Sequence, residues 1–372
     1  MHSESERNAI EKRLRALARR LIDQKAARVL VKPYAEAAGY WFGAGNVVQG
    51  EDGALYLAGR YRNAGDSRTG LAAGERGLEL AVFRAEKHDG TWEKVACWDK
   101  TALSFGGKRV ISIEGACLLQ GGAGWELFVS TEKGEAYPRG FEAYQKPGTG
   151  VWSIDVLRGA RPESLDAATL APVLRPAPEP AYLHVKDPKA YREHNGSTAL
   201  FFCSHPFTWA SSNTGLALRE RPAADFAVRS YEAVERGAAW DVAGTRVTAR
   251  LPVPPMGALA SMPPVRLYFY DGLECFRELP QSKQAVRRPR GYSCEEIGGL
   301  LWDGQEQSLP LARLSPNEPL FVSPWGTGCS RYVDIAVLDG GLFATWQQSQ
   351  PDRSQPLVSH FLPMEAVEHI LR

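Results

Sequence analysis

Glycines placed just before short apolar strands constrain this chain more than any other feature. Gly53 precedes ALYLAGRY, Gly122 precedes GWELFVST, Gly196 precedes TALFFCS, Gly272 precedes LECFREL and Gly340 precedes LFATWQQ, at intervals of 69, 74, 76 and 68 residues. Glycine readily adopts the backbone conformations that tight turns need, so the spacing reads as five units of about 72 residues. In the first unit NVVQG and ALYLAGRY are followed by the polar loop NAGDSRTGLAAGE, then RGLELAVFRA, a His88-Asp89-Gly90 turn and TWEKVACW. GVWSIDVL and NTGLALRE are third strands in units two and three. Short strands rich in β-branched and aromatic residues, repeated in this order, predict an all-β fold: a five-bladed β-propeller of four-stranded antiparallel blades. Closing the ring removes the exposed sheet edges. Either ARVLV (27–31) or the C-terminal VEHILR is available to complete it. Two β-sandwich domains are the rival arrangement, which the fivefold spacing disfavours.

Ahead of the first unit, Ile10, Leu14, Leu17 and Leu21 recur at helical spacing with Arg13, Arg15, Arg19 and Arg20 between them. One amphipathic helix follows, its arginines on a solvated face. The expected organisation is an N-terminal helical extension over 1–34 and a single propeller domain over 35–372. With 44 Lys+Arg against 43 Asp+Glu, the formal charge of +1 supplies no global field for a nucleic acid or membrane surface. Neither a long apolar run nor a signal-peptide pattern is present, so a cytoplasmic protein is expected. The six cysteines form no C-x-x-C pair and read as buried thiols.

In an antiparallel four-stranded blade, the start of strand one, the end of strand two and the following loop share one face of the disc. The residues expected to open the innermost strands are Asn46, Glu114, Asp187, a carboxylate-free stretch around Met262, and Asp334, so three of five are acids. A carboxylate entering an apolar blade needs a partner or a task near solvent. Converging acids are also the ingredients of acid/base chemistry, because like charges shift one another's pKa. Pairing with Lys186 or Arg331, or accepting backbone N–H groups, is the structural alternative.

The ends of the second strands add Arg60, Arg62, Asp66 and Arg68, then Glu132 and Lys133, then His205 and Trp209, and finally Trp346 and Gln347. Aromatic planes beside hydrogen-bonding groups suit a carbohydrate, whose C–H faces stack on indole while its hydroxyls take donors and acceptors. Trp346 as blade packing, and arginines paired locally with Asp66 or Glu75, are the structural alternatives.

The five-unit spacing, IEGACLL and KDPKAY opening units two and three, and GLELAVFRAEKHDG and TGVWSIDVL together resemble the five-bladed β-propeller glycoside hydrolases of families 43, 32, 62 and 130. The resemblance covers most of residues 38–363 and implies a glycoside hydrolase with Glu114 as proton donor and Asp187 as the orienting carboxylate. Asn46 stands where family 43 places its general base, and the Glu precedes the Asp-Pro motif instead of following it. An amide cannot take a proton from water, so the base or nucleophile falls to Asp334 or Glu132. The chain is thus expected to be a divergent branch, its partner an oligosaccharide or glycoconjugate. The arginines further suggest an anionic sugar. A non-catalytic carbohydrate-binding or scaffold propeller is the alternative, and a lyase or sugar transferase is a third use of the same acids. No cofactor and no metal are expected: His184, Asp187, His194 and His205 match no ligand spacing, and Walker, G-x-S-x-G and dinucleotide motifs are missing.

Overall fold

A computed structural model describes residues 4–63, 76–122, 124–177, 179–207, 211–275, 296–303 and 311–372. Helix α1 (Glu4–Leu21) and strand β1 (Arg28–Val31) open the chain. Blade one comprises β2 (Trp41–Gln49), β3 (Leu55–Arg62), β4 (Glu79–Ala85) and β5 (Glu93–Asp99). Blade two comprises β6 (Val110–Gly121), β7 (Gly124–Lys133), β8 (Val151–Gly159) and β9 (Asp166–Leu174). Blade three follows with β10 (His184–Arg192), β11 (Thr198–His205), β12 (Asn213–Arg219) and β13 (Ala227–Val234). Blade four has β14 (Gly244–Pro252), β15 (Arg266–Leu273), β16 (Ile297–Trp302) and the short β17 (Ala312–Arg313). Blade five has β18 (Ser330–Leu338), β19 (Gly341–Gln348) and β20 (Leu357–Pro363), and its fourth strand is β1. Five blades of four antiparallel strands therefore make the propeller, as the glycine spacing predicts.

The ring closes with β1 against β20, Arg28 opposite Ser359 and Val29 opposite Val358. ARVLV is thus the closing segment, and it lies within the first 34 residues. VEHILR is instead part of helix α2 (Met364–Leu371). Ile10, Leu14, Leu17 and Leu21 of α1 are buried in one cluster with Val367 and Leu371 of α2 and with Leu267, Leu342 and Trp346 of blades four and five. The apolar stripe of α1 accordingly caps those two blades.

The turns between first and second strands lie at Gly53 and Gly196 with φ of +80° and +83°, where an L side chain would be strained. Gly122 and Gly340 occupy the equivalent turns. Gly272 does not. It lies inside β15, and a Cβ there would sit 2.6 Å from the Trp240 ring. The turn of blade four is the longer segment 253–265, so the innermost strand is β14 and not the stretch around Met262.

Each innermost strand slips register near its opening: between Gly43 and Asn46, Ile113 and Ala116, Lys186 and Lys189, Val247 and Ala249, and Arg331 and Asp334. Such bulges re-aim side chains and release backbone groups from the ladder. Ala44, Asp187 and Tyr332 take φ of +61°, +55° and +54° at three of these points. The bulges bring the five strand openings together on the axis.

Candidate functional site

Backbone amides of the innermost strands are taken up at the axis by side chains from neighbouring blades. Asp334 of blade five accepts the Val47 N–H of blade one at 2.7 Å and pairs with Lys189 Nζ of blade three at 2.5 Å. Asn46 of blade one accepts the Leu118 N–H of blade two at 2.7 Å and donates to the Leu118 carbonyl at 2.8 Å. Asp187 of blade three accepts the Gly115 N–H of blade two at 3.0 Å. A Cβ at Gly115 would fall 2.5 Å from that Asp187 oxygen, so only glycine lets the carboxylate reach the amide. Charge-assisted bonds of this kind contribute about 1.5–3 kcal/mol each.

Arg246, opening β14, is the hub of the next layer. It donates to Asp187 Oδ2 at 3.1 Å, to Asp271 Oδ2 at 2.6 Å and to Glu296 Oε2 at 2.7 Å, and its guanidinium lies 3.8 Å from the centre of the Tyr332 ring. Asp271 also accepts the Tyr332 N–H of blade five. Burial, aided by Glu296 and opposed by Arg246, raises Asp271 to about 6. Glu296 is held well below the usual carboxylate range, the arginines 246 and 331 overcoming its burial. Arg246 and Asp271 escape the sequence reading because Gly272 resembles a turn glycine. The alternation in Thr245, Val247, Ala249 and Leu251 is the available signal that β14 is a strand.

Nearer the second-strand ends stand Glu114 and Glu132, from adjacent strands β6 and β7. Glu114 accepts from Ser112 Oγ at 2.8 Å and lies 3.4 Å from Arg60 Nη2. Burial would raise its pKa, but Arg60, Lys186 and Arg62 outweigh that and bring it down to about 2. The residue that the resemblance assigns as proton donor is therefore ionised at neutral pH. Glu132 is fully buried, accepts the Gly150 N–H at 2.7 Å and lies 2.8 Å from Arg76 Nη1. Burial dominates there, opposed by Arg76 and reinforced by Glu114, and lifts it to about 7. The pKa values of two carboxylates on adjacent strands are thus pushed in opposite directions, an arrangement that separates acid from base.

Around them lies a cationic rim that the sequence reveals only in part. Trp41, at the start of β2, has the guanidinium groups of Arg62 and Arg331 at 4.5 and 4.4 Å from its ring. Arg331 Nη1 donates to Glu296 Oε2 at 2.5 Å, and the terminal amide of buried Gln347 lies 2.9 Å from Arg331 Nη2. Lys186 is 3.9 Å from Asp187 Oδ2. His205 is buried, its Nδ1 3.1 Å from the Ser211 carbonyl, and burial pushes it well below the ordinary histidine range. Trp346 is fully buried in the α1 cluster, with Nε1 donating to Gln24 Oε1 at 3.3 Å. It is a packing residue and not a stacking platform, because its position in β19 faces the helix cap. Asp66, Arg68 and Trp209 lie outside the described residues.

Two small cavities reach this region, each about 20 Å³ and so large enough for a water. One is axial and lined from all five blades, by Ala44, Gly115, Asp187, Arg246 and Tyr332 among others. The other lies beside it, between Lys186, His205, Arg246, Asp271 and Glu296. Among the described residues no group of three His, Cys, Asp or Glu side chains is placed to hold a metal ion, and no helix is long and apolar enough to cross a membrane.

No family model matches this sequence, and no curated protein is similar to it. Solved structures are. The family 43 subfamily 1 enzyme from Xanthomonas citri complexed with xylotriose aligns with a TM-score of 0.53 at 12% identity, over 94% of this chain and 93% of that one. The α-L-arabinofuranosidase from Lactobacillus brevis gives 0.56 at 11% identity, over 91% and 93%. A structure described as a glycoside hydrolase gives 0.59 at 12%, over 94% of each. The chain has the five-bladed propeller fold seen in these glycoside hydrolase structures, at 11–12% sequence identity to them.

Proposed function

We propose that this protein is a glycoside hydrolase whose substrate meets Glu114 at the mouth of the propeller. The observation that supports this reading is the split pair: Glu114 ionised and slightly exposed, Glu132 carrying a proton near neutral pH on the adjacent strand. In this reading Glu114 is the base or nucleophile, and Glu132, sealed behind Arg76, holds the proton that the leaving oxygen finally needs. Asp187 positions Gly115 next to Glu114, and Asp334 holds the axis together.

The test is a panel of aryl glycosides and natural oligosaccharides, screened with the full chain for both sugar release and thermal shift. Glu114→Gln and Glu132→Gln are each expected to lower kcat by about 10²–10⁴-fold while the ligand-induced shift persists. Full activity in both variants overturns the assignment. A second reading, a carbohydrate-binding propeller without turnover, is favoured by the commitment of Asn46, Asp187 and Asp334 to inter-blade ties. Ligand-induced shifts with no release from any glycoside support it.

A further inference from the structure

Arg60 presents an imbalance that the propeller itself does not resolve. Its side chain is 1% exposed, yet it makes one long contact, 3.4 Å from Nη2 to Glu114, and its Nε and Nη1 have no partner among the described residues. Guanidinium carries five donors, and a buried donor left unpaired is costly. Nearby are further cations, Arg62, Arg76 and Arg331, while the facing acids among the described residues are Glu114, Glu296 and the half-protonated Glu132. The crowding is felt: burial and the charges of Arg60, Arg331 and Arg76 pull Arg62 down to about 10 against the pull of Glu114. Trp41 borders two of these cations, Arg62 and Arg331, and its buried Nε1 also lacks a partner among the described residues.

We propose that the mouth takes a saccharide bearing a carboxylate, whose two oxygens are received by Arg60 and Arg331 beside Trp41. A planar carboxylate matches the guanidinium fork and supplies the acceptors that Arg60 lacks. Glu114 then faces a sugar whose charge is already neutralised. The proposal deepens the saccharide reading and rests on it for the sugar, but not on turnover.

Titration calorimetry on the full chain, with galacturonate and glucuronate against galactose and glucose, tests it at low and high salt. Uronates are expected to bind at least about tenfold more tightly, with the advantage shrinking as salt screens it. Arg60→Lys keeps the charge and loses the fork, so it should reduce the preference; Arg331→Gln should do the same without disturbing the Arg60–Glu114 contact. Equal affinity for acidic and neutral sugars overturns the proposal, as does a preference that neither variant alters. Binding of galactose 6-sulfate in place of the uronates overturns the carboxylate class. Uronate preference without hydrolysis upholds this inference and removes the hydrolase reading, whereas hydrolysis of neutral glycosides without acid preference does the reverse.

Discussion

Replacing Lys189 with Met removes the cation from the axial pair and leaves Asp334 with the Val47 N–H alone. Lys189 and Asp334 side chains are 6% and 7% exposed and 2.5 Å apart, so neither charge has solvent to fall back on. Deleting one partner of such a pair costs about 3–5 kcal/mol, chiefly from the stranded charge. At roughly 2.1 cal/mol/K of unfolding entropy per residue, a chain of 372 residues loses about 1 °C for each 0.8 kcal/mol, so Tm should fall by about 4–6 °C. In Lys189→Met/Asp334→Asn the amide oxygen can still accept the Val47 N–H and no charge is stranded, so at least half the loss should return. Calorimetric scans of both singles and the double at one scan rate measure this. A shift below about 1 °C for Lys189→Met, or a double mutant whose loss is the sum of the singles, refutes the coupling. Asp334→Asn should also keep its turnover per folded molecule; lost turnover at unchanged Tm would make Asp334 a chemical group instead of a tie.

Glu132 gives a second prediction, with a sign fixed by linkage. Its folded pKa of about 7 lies above the ordinary 4.5, so the folded state holds the extra proton between those values and the stability it confers is lost as pH rises through 7. Relative to wild type, Glu132→Gln should gain on the order of 2–3 kcal/mol between pH 4.5 and 8. Paired denaturant titrations cancel the opposing contribution of His184, which burial lowers to about 3; a pH-independent difference between the two proteins refutes the buried proton. Leu17→Ala in the stripe of α1 should cost about 2–5 kcal/mol, read as a lower denaturant midpoint. Arg19→Ala, on the opposite face, should stay within about 0.5 kcal/mol, and an equal loss at both positions would mean that α1 does not dock as described.

The fold was legible because propeller blades repeat, and a tight turn between the first two strands of a blade favours glycine. Gly53 and Gly196 mark true turns. Gly272 fails as a marker for a different physical reason: its missing Cβ makes room for the Trp240 ring. A glycine required by packing looks identical in sequence to one required by a turn. That single ambiguity displaces the innermost strand of blade four and hides Arg246. Glu114 and Asp187 are recognisable as polar residues opening apolar strands, but the charged partners around them are not. Arg60 of blade one and Lys186 of blade three lower the pKa of Glu114 in blade two, and Arg246 of blade four pairs with Asp187 of blade three.

The same ambiguity governs the acids. The N–H groups of Gly115 and Tyr332, inside register slips, and of Val47 and Leu118, on strands at the edges of their sheets, are taken up outside the ladder, and buried amides demand acceptors. Asp334, Asp187, Asn46 and Asp271 supply them, each from a neighbouring blade. A carboxylate at a strand opening therefore satisfies an architectural requirement before any catalytic one. Asn46 illustrates the point, since it meets both the N–H and the carbonyl of Leu118. An ionised carboxylate there would set acceptor against acceptor at that carbonyl. Asparagine at this position follows from the inter-blade bond it makes, and it need not be read as a catalytic base that was lost. Of the three acids that open innermost strands, Glu114 alone ties no backbone amide of another blade, which is why the proposed function gives the chemistry to it and to Glu132 on the adjacent strand.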